Sequence, residues 1–143
     1  MIKPRQPRLP KRIPKIVSQK VTRRLYTAEV SKHPTKDWQH IRIRSKEDPS
    51  REIQGEIRGK EATLSLIYVP PTEIGIGFGS KLLNHMMAEF GRRKVKVVRC
   101  LYFADSAGFF KKYGFRELKR KGEIVEMEIT MEEWKRGHGK GKR

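Results

Sequence analysis

The first part of the chain alternates between apolar and polar residues in the way a β-sheet requires. Residues 39–44 place two isoleucines on one side of an extended chain and three polar side chains on the other. Residues 52–58 repeat this pattern, and residues 24–30 follow it more loosely. Residues 62–69 are largely apolar, as expected of a central strand. The pattern predicts four strands, of which the last three form an antiparallel meander.

A change to helical spacing follows these strands. Between residues 78 and 92 the apolar positions recur every three or four residues, the period of an amphipathic helix. These positions are Phe78, Leu82, Leu83, Met86, Met87 and Phe90. Gly91 and the basic residues after it suit a helix C-terminus. We therefore expect one long helix over residues 78–92.

The second half of the chain predicts a strand, a short helix and two closing strands. Residues 95–103 form a buried-looking strand, and Asp105 is placed to cap a helix that ends at Gly114. Residues 115–118 and 123–129 then form the two strands that close the sheet.

The element order ββββ-α-β-α-ββ predicts an α/β fold. The helix between the fourth and fifth strands is a crossover, which requires a parallel pair in a sheet that is otherwise mostly antiparallel. Thr130 and Glu133 have the spacing of a capping box, which predicts a last helical turn.

Three glycines at alternate positions lie between the fourth strand and the long helix. Gly75, Gly77 and Gly79 allow a close backbone approach to a ligand. The helix that starts here directs free N–H groups and the positive end of its dipole at the loop. This geometry predicts a phosphate or pyrophosphate site. The segment is neither a Walker A motif nor a clean dinucleotide fingerprint.

These residues resemble motif A of the GNAT acetyltransferases, whose pattern is Gln/Arg-x-x-Gly-x-Gly/Ala. Gly77 and Gly79 occupy its two small positions, and the segment from Asp105 to Gly114-Phe115 is similar to motif B of the same family. The resemblance covers about residues 64–115, and it implies acetyl-CoA as the cofactor. The cofactor-binding residues that it implies are Ile67, Tyr68, Val69, Ile74, Gly75, Ile76, Gly77, Phe78, Gly79, Ser80, Asp105 and Phe110.

The chain departs from the family pattern at three places. Ile74 replaces the usual Gln or Arg, and Phe110 stands where the family often has a tyrosine that protonates the leaving thiolate. Tyr113, one helical turn further on, is the candidate for a displaced proton donor. The family places two helices between its first and second strands, on the acceptor side. Here only residues 31–38 are available, so we expect these helices to be reduced or absent.

Other chemically interesting residues have simpler interpretations. Cys100 lacks a nearby histidine and is expected to be a buried structural thiol. Glu61 is either a general base or an exposed carboxylate at a strand end, and the second is favoured. Trp38 and Trp134 are expected to cover the core, with stacking on a nucleobase as the alternative. The four histidines show no spacing typical of metal ligands, so no metal is expected; they are His33, His40, His85 and His138.

Positive charge is concentrated at the two ends of the chain. The net charge is +18, but residues 1–24 hold nine Lys or Arg and residues 135–143 hold five, with no acid in either segment. Such segments attract polyanions without sequence preference, so they are either arms that bind nucleic acid or solvated, solubilising tails. We divide the chain into a basic Pro-rich arm (1–20), a GNAT-like acyl-CoA-binding domain (21–134) and a basic Gly/Lys tail (135–143).

Two functions agree with these patterns. The first is an N-acetyltransferase that moves the acetyl group of acetyl-CoA directly to an amine. The alternative is a nucleic-acid-associated protein that keeps the fold with weak or no catalysis. A single cysteine indicates a reducing compartment, and no run of about 18 apolar residues is present, so we expect a cytoplasmic protein without a membrane span.

Overall fold

The computed structural model describes residues 25–139, which form one sheet with three helices. The strands are β1 (Tyr26–Lys32), β2 (Trp38–Ser45), β3 (Glu52–Arg58), β4 (Glu61–Tyr68), β5 (Val97–Phe103), β6 (Arg116–Lys121) and β7 (Ile124–Thr130). The helices are α1 (Phe78–Arg92), α2 (Ala104–Lys112) and α3 (Met131–Trp134). A 3-10 turn (Pro71–Glu73) precedes α1, and a π turn (Lys135–Gly139) follows α3.

The seven strands are ordered β1-β2-β3-β4-β5-β7-β6. Every neighbouring pair is antiparallel except β4 and β5, which run parallel. The crossover helix α1 connects these two strands, as a parallel pair requires. The expected α/β class and element order are confirmed.

All three helices pack on one face of the sheet. The core there is built from the inward side chains of β2 to β5 and β7, together with the apolar stripe of α1. Phe90 of α1 is fully buried and lies directly over Gly55 of β3, where a Cβ atom would come within 2.7 Å of the phenyl ring. We call this side the helix-covered face, and the opposite side the open face.

The two acceptor-side helices are absent, as the sequence predicted. Residues 33–37 alone join β1 to β2, and they form a turn in which the Nδ1 atom of His33 accepts hydrogen bonds from the N–H groups of Thr35 and Lys36. No helix of residues 25–139 therefore covers the open face of the sheet.

Several element boundaries differ from the sequence prediction. β1 runs from Tyr26 to Lys32 because it pairs with β2 along its whole length, which hydrophobic alternation alone did not indicate. β5 begins at Val97, because the N–H of Lys96 still donates to the turn carbonyl of Lys60 (2.7 Å). β6 extends to Lys121 through an irregular register around Leu118.

The helix caps were predicted with mixed success. Asp105 does not cap α2: the helix begins at Ala104, the N-cap is the extended residue Phe103, and no side chain in the described structure caps it. The capping box after β7 is confirmed, since Thr130 Oγ1 accepts from the Glu133 N–H while Glu133 accepts from the Thr130 N–H, both at 3.0 Å.

The expected basic arm over residues 1–20 lies outside the described residues, as do the last four residues of the tail. No helix among residues 25–139 is long and apolar enough to span a bilayer.

Candidate cofactor cleft

The parallel strands β4 and β5 pair over only four residues. Glu61 to Leu64 lie beside Val97 to Cys100, and beyond these positions each strand continues without pairing to the other. An irregularity in the β3–β4 register leaves Ser65 without an opposing residue on β3, although its hydroxyl donates to the Gln54 carbonyl (3.3 Å), and such a bulge bends and twists its strand. The ends of β4 and β5 therefore border a cleft.

The bulge also changes which side chains of β4 face the helices. Leu64 is buried on the helix-covered face, whereas Leu66 pairs with Gln54 on the open face. Tyr68 follows on that same open side, opposite Glu52. On β5, Leu101 and Phe103 alternate away from buried Cys100 onto the open face. Four exposed apolar side chains thus flank the cleft where acceptor-side helices are absent.

The predicted glycine loop lies at the end of β4. Gly75 and Gly77 have φ angles of 92° and 104°, a left-handed conformation that glycine adopts without steric cost. Gly77 is the N-cap of α1, and no side chain in the described structure caps this helix. The first-turn N–H groups and the positive end of the dipole are therefore available to an anion.

The apolar side chains of the loop point into solvent. Ile74 and Ile76 are 71% and 64% exposed, unusually high for isoleucine. Ile74, which stands at the family's Gln or Arg position, contributes no hydrogen bond from its side chain. Binding at this loop therefore depends on backbone N–H groups and on apolar contact.

Arg51 anchors the glycine loop through contacts on both sides of it, with Glu73 before the loop and Phe78 at its end, although no sequence pattern indicated this role. Its guanidinium is bidentate to Glu73, with Nε and Nη2 donating over 2.8 and 3.1 Å. It also contacts Glu47 (3.2 Å) and lies 3.7 Å from the ring centroid of Phe78, the first residue of α1. Arg51 is largely buried, and it holds the 3-10 turn and the helix start together.

Gly79 faces the second helix. A Cβ atom built on it would lie 3.4 Å from Phe109 of α2 and 3.9 Å from Val69 at the end of β4. A small side chain would fit in the present structure, but it would occupy the space between α1, α2 and the cleft. The glycine keeps that space open.

Tyr113 and Ser80 are brought together by the fold. The two hydroxyl groups hydrogen-bond to each other, which ties the end of α2 to the first turn of α1. The Tyr113 ring packs against Phe109 and Trp134, with centroids 5.3 and 6.2 Å away. The candidate proton donor therefore has its hydroxyl at the start of α1, beside the glycine loop.

Phe110 is 1% exposed and lies in the core. Its ring packs against Tyr102 of β5 (centroids 5.0 Å apart) and against Phe115 (5.4 Å). Asp105, by contrast, is exposed in the first turn of α2. These two residues of the predicted cofactor set thus lie in very different surroundings.

Tyr102 is the residue of this region that sequence reasoning did not assign to the site. Its side chain is on the helix-covered face, and its hydroxyl accepts a hydrogen bond from the backbone of Ile67 across the cleft. Burial raises the pKa of Tyr102 to about 12, while the Ile67 hydrogen bond opposes this rise. The phenol is therefore protonated at neutral pH.

The remaining candidates are not positioned for chemistry at the cleft. Cys100 is buried, as expected, and burial raises its pKa to about 12, so its thiolate is scarcely populated. Glu61 is exposed at the opposite end of β4, where it accepts a hydrogen bond from Arg99 (2.7 Å). Among the described residues, no group of His, Cys, Asp and Glu side chains is arranged to hold a metal ion.

The cleft has three features that suit an extended, phosphate-bearing ligand. The uncapped start of α1 suits a pyrophosphate, and the unpaired edge of β4 over residues 65–68 offers backbone groups along the cleft. The exposed isoleucines of the loop offer apolar contact.

Comparison with solved structures identifies this architecture. An acetyltransferase from Bacillus cereus superposes with a TM-score of 0.59 at 19% identity, covering 66% of this chain and 76% of its own. The PaiA N-acetyltransferase of Thermoplasma acidophilum, solved in complex with coenzyme A, gives 0.58 at 18% identity, covering 66% and 61%.

The ribosomal-protein-S18-alanine N-acetyltransferase of Escherichia coli gives a TM-score of 0.56 at 18% identity, covering 66% of this chain and 70% of its own. No protein-family model matches the sequence, and no curated protein matches it. The likeness therefore rests on three-dimensional structure, and at these identities it concerns the fold. The protein has the fold of the GNAT acetyltransferases.

Proposed function

We propose that the protein is an acetyl-CoA-dependent N-acetyltransferase. The observation that carries this proposal is the uncapped N-terminus of α1, preceded by left-handed Gly75 and Gly77, at the mouth of the cleft between β4 and β5. Because Gly75 and Gly77 have no Cβ atom, no side chain of theirs stands between a ligand and this helix start. The structural neighbours, which are acetyltransferases, support the same activity.

The backbone contributes most of the cofactor binding in this proposal. The N–H groups of Phe78, Gly79 and Ser80 bind the pyrophosphate, assisted by the helix dipole. The backbone of Ile67 to Val69 orients the acyl arm along the unpaired edge of β4. When bound, the cofactor supplies an activated thioester. An N–H of this edge would polarise its carbonyl, since a fixed donor stabilises the charge that develops there.

Two tyrosine hydroxyls are candidates for the group that assists the departing sulfur. Tyr102 reaches across the cleft to the backbone of Ile67, the same edge that we assign to the acyl arm. Tyr113 lies at the start of α1, bonded to Ser80. Because the raised pKa of Tyr102 makes full proton transfer to a thiolate unfavourable, we assign it a hydrogen-bond donor role.

The acceptor amine approaches from the open face. The cleft is bordered there by four exposed apolar side chains, and no helix of the described chain encloses them. They are Leu66, Tyr68, Leu101 and Phe103. An unenclosed approach suits an amine carried by a large acceptor, such as a polypeptide, better than a small free amine, which needs an enclosed pocket.

A second function, a nucleic-acid-associated protein with little or no catalysis, is favoured by Phe110. The usual tyrosine position is a buried phenylalanine here, and a phenyl ring has no hydroxyl group from which to donate a proton. This alternative keeps the fold and loses the reaction. It is separated from the first by measuring acetyl transfer directly.

Titration calorimetry with acetyl-CoA tests the cofactor site. We expect Gly79→Val to weaken binding at least about tenfold, or about 1.4 kcal/mol, because the side chain would occupy the space between α1 and α2. Gly91→Val, at the other end of the same helix, is the matched control and should bind normally. Wild-type affinity in a folded Gly79→Val protein would remove the proposed site.

A further inference from the structure

One end of the sheet, opposite the glycine loop, is formed by four turns that carry an excess of positive charge. The turns are residues 33–37, 58–60, 92–96 and 135–136, and we call them together the basic end. They hold nine Lys or Arg and a single acid, Asp37. The rest of residues 25–134 holds 13 basic and 15 acidic residues. The excess positive charge of this part of the chain is therefore concentrated at one end of the sheet.

Backbone hydrogen bonds hold these turns side by side. The N–H of Gly59 donates to the carbonyl of Asp37 (3.2 Å), and that of Lys96 donates to the carbonyl of Lys60 (2.7 Å). The N–H of Met131, at the start of α3, donates to the carbonyl of Lys96 (2.8 Å). The basic end is thus a fixed row of strand ends, spaced by about 4.8 Å per strand.

Most of the cations there lack acidic partners. Five lysines form no ion pair within the described part of the chain; they are Lys36, Lys60, Lys94, Lys96 and Lys135. All five are exposed. Three arginines do form pairs: Arg58 with Glu56 (3.2 Å), and Arg92 and Arg93 both with Glu89. Unpaired cations held close together repel one another, so they are stabilised by a ligand that neutralises them.

The residue types at the basic end distinguish among three kinds of binding partner: a protein, a membrane surface and a nucleic acid. Lysine is depleted at protein–protein interfaces, whose cores are aromatic and apolar. Membrane-surface elements combine basic residues with an apolar face, but the one large aliphatic side chain in these turns, Val95, is 3% exposed. A regular row of fixed cations without apolar anchors fits the phosphate backbone of a nucleic acid.

One aromatic side chain lies at the edge of this surface. Trp38 is half-buried, with the Arg58 guanidinium 4.1 Å and the Lys36 ammonium 4.7 Å from its ring centroid. Beside it is a cavity of about 300 Å³ lined by His33, His40 and Glu56 among others. Trp38 therefore holds two of the cations in place.

We propose that the basic end is a docking surface for the phosphate backbone of a nucleic acid. The glycine loop lies at the other end of β4, roughly 25 Å away along eight strand residues. Nucleic acid and coenzyme A therefore bind at the same time.

Matched triple variants of the full chain test this surface. Lys60→Gln/Lys94→Gln/Lys96→Gln removes three charges at the basic end. Lys46→Gln/Lys112→Gln/Lys121→Gln removes three exposed charges elsewhere that also form no ion pair in the described structure. Binding of fluorescent duplex DNA and single-stranded RNA is measured by anisotropy over a range of salt concentrations, in the presence and absence of saturating coenzyme A.

We expect the basic-end variant to lose at least about tenfold in affinity at about 0.1 M salt, and its salt slope for duplex to fall by about 0.9 for each phosphate that is no longer neutralised. The control variant should keep most of its affinity, and coenzyme A should not displace the oligonucleotide. The acetyl-CoA affinity of both variants, measured in parallel, should be unchanged. That readout reports the cofactor site independently of the nucleic-acid surface.

Four results would overturn the proposal. Equal losses in the two triple variants would mean that affinity follows net charge alone. No loss in either would place binding on the terminal segments. Displacement by coenzyme A would place the oligonucleotide at the glycine loop. Binding to anionic phospholipid vesicles, without binding to either oligonucleotide, would identify a membrane surface instead.

Discussion

At the scale of single residues, two tyrosine hydroxyls lie near the cleft, and their partners distinguish their roles. Tyr102 hydrogen-bonds to the backbone of Ile67, whereas Tyr113 hydrogen-bonds to Ser80 in the first turn of α1. The Tyr102 hydroxyl therefore lies at the strand edge that we assign to the reacting end of a bound thioester. The Tyr113 hydroxyl lies at the helix start that would bind the pyrophosphate.

These positions predict different kinetic effects. If the protein catalyses acetyl transfer, Tyr102→Phe should lower kcat by about 10²-fold, the lower end for loss of one fixed hydrogen-bond donor to the transition state, with little change in KM for acetyl-CoA. Tyr113→Phe should mainly raise KM, because it releases Ser80 and loosens the start of α1. Steady-state kinetics with acetyl-CoA as the varied substrate separate the two. An unchanged kcat in Tyr102→Phe removes that hydroxyl from the reaction, and a loss of about 10²-fold in Tyr113→Phe makes Tyr113 the donor.

At the scale of elements, the contact between β3 and α1 depends on one glycine. Gly55→Ala would place a methyl group 2.7 Å from the edge of the fully buried Phe90 ring, so the helix or the ring must move. We expect a loss of about 1–3 kcal/mol in unfolding free energy, the usual cost of overpacking. Gly108→Ala in α2 meets nothing within 4 Å and serves as the control. Urea denaturation of both variants gives the comparison, and equal stabilities would contradict this packing.

The capping box of α3 gives stability a defined dependence on pH. The hydrogen bond from the Thr130 N–H, and then Arg116 at 2.8 Å, lowers the pKa of Glu133 from 4.5 to about 2. A depressed folded pKa stabilises the protein above the unfolded value, and this contribution is lost as the pH falls from about 4.5 to 2. Glu133→Gln should therefore be less stable than the wild type at neutral pH. The difference should shrink as the pH approaches 2, and a constant difference in thermal melts would refute the assignment.

At the scale of the whole molecule, the two ends of the described chain lie at opposite ends of the sheet. Leu25 precedes β1 beside the glycine-loop end, where its carbonyl accepts from the Lys46 N–H (2.8 Å). Residues after α3 leave from the basic end. The nine basic residues of positions 1–24 and the cations of the basic end are therefore attached to distant parts of the fold.

Removal of residues 1–20 tests the proposed N-terminal arm. We expect weaker binding of duplex DNA and a flatter salt dependence, by about 0.9 log units for each phosphate that the arm had neutralised. Acetyl-CoA affinity should hardly change, because the proposed cofactor residues all lie between positions 67 and 110. Residual binding by the shortened protein should then be abolished by the basic-end substitutions. Full-strength binding after the truncation would show that the arm contributes nothing.

The sequence predicted α1 with its observed bounds because six apolar residues recur at helical spacing over Phe78–Arg92. It misplaced the start of α2, since an extended Phe103 carries no capping signature while Asp105 resembles one. The roles of Arg51 and Tyr102 depend on contacts with Glu73 and Ile67, far away in the chain. Local sequence patterns contain no information on such contacts. The net charge of the chain likewise does not reveal that basic residues cluster at the turns of the basic end.

The short pairing of β4 with β5 has a consequence for isotope exchange. Amide protons that β4 directs toward β5 are protected over Glu61–Leu64, but those beyond Leu64 have no strand partner on that side, and the Ile67 N–H donates instead to the Tyr102 hydroxyl. Apart from Ile67, deuterium should therefore enter these positions faster than the neighbouring amides that β4 directs toward β3. Within β4, fast and slow amide exchange should therefore alternate only after Leu64. The residue at which this alternation begins marks the point where the sheet opens.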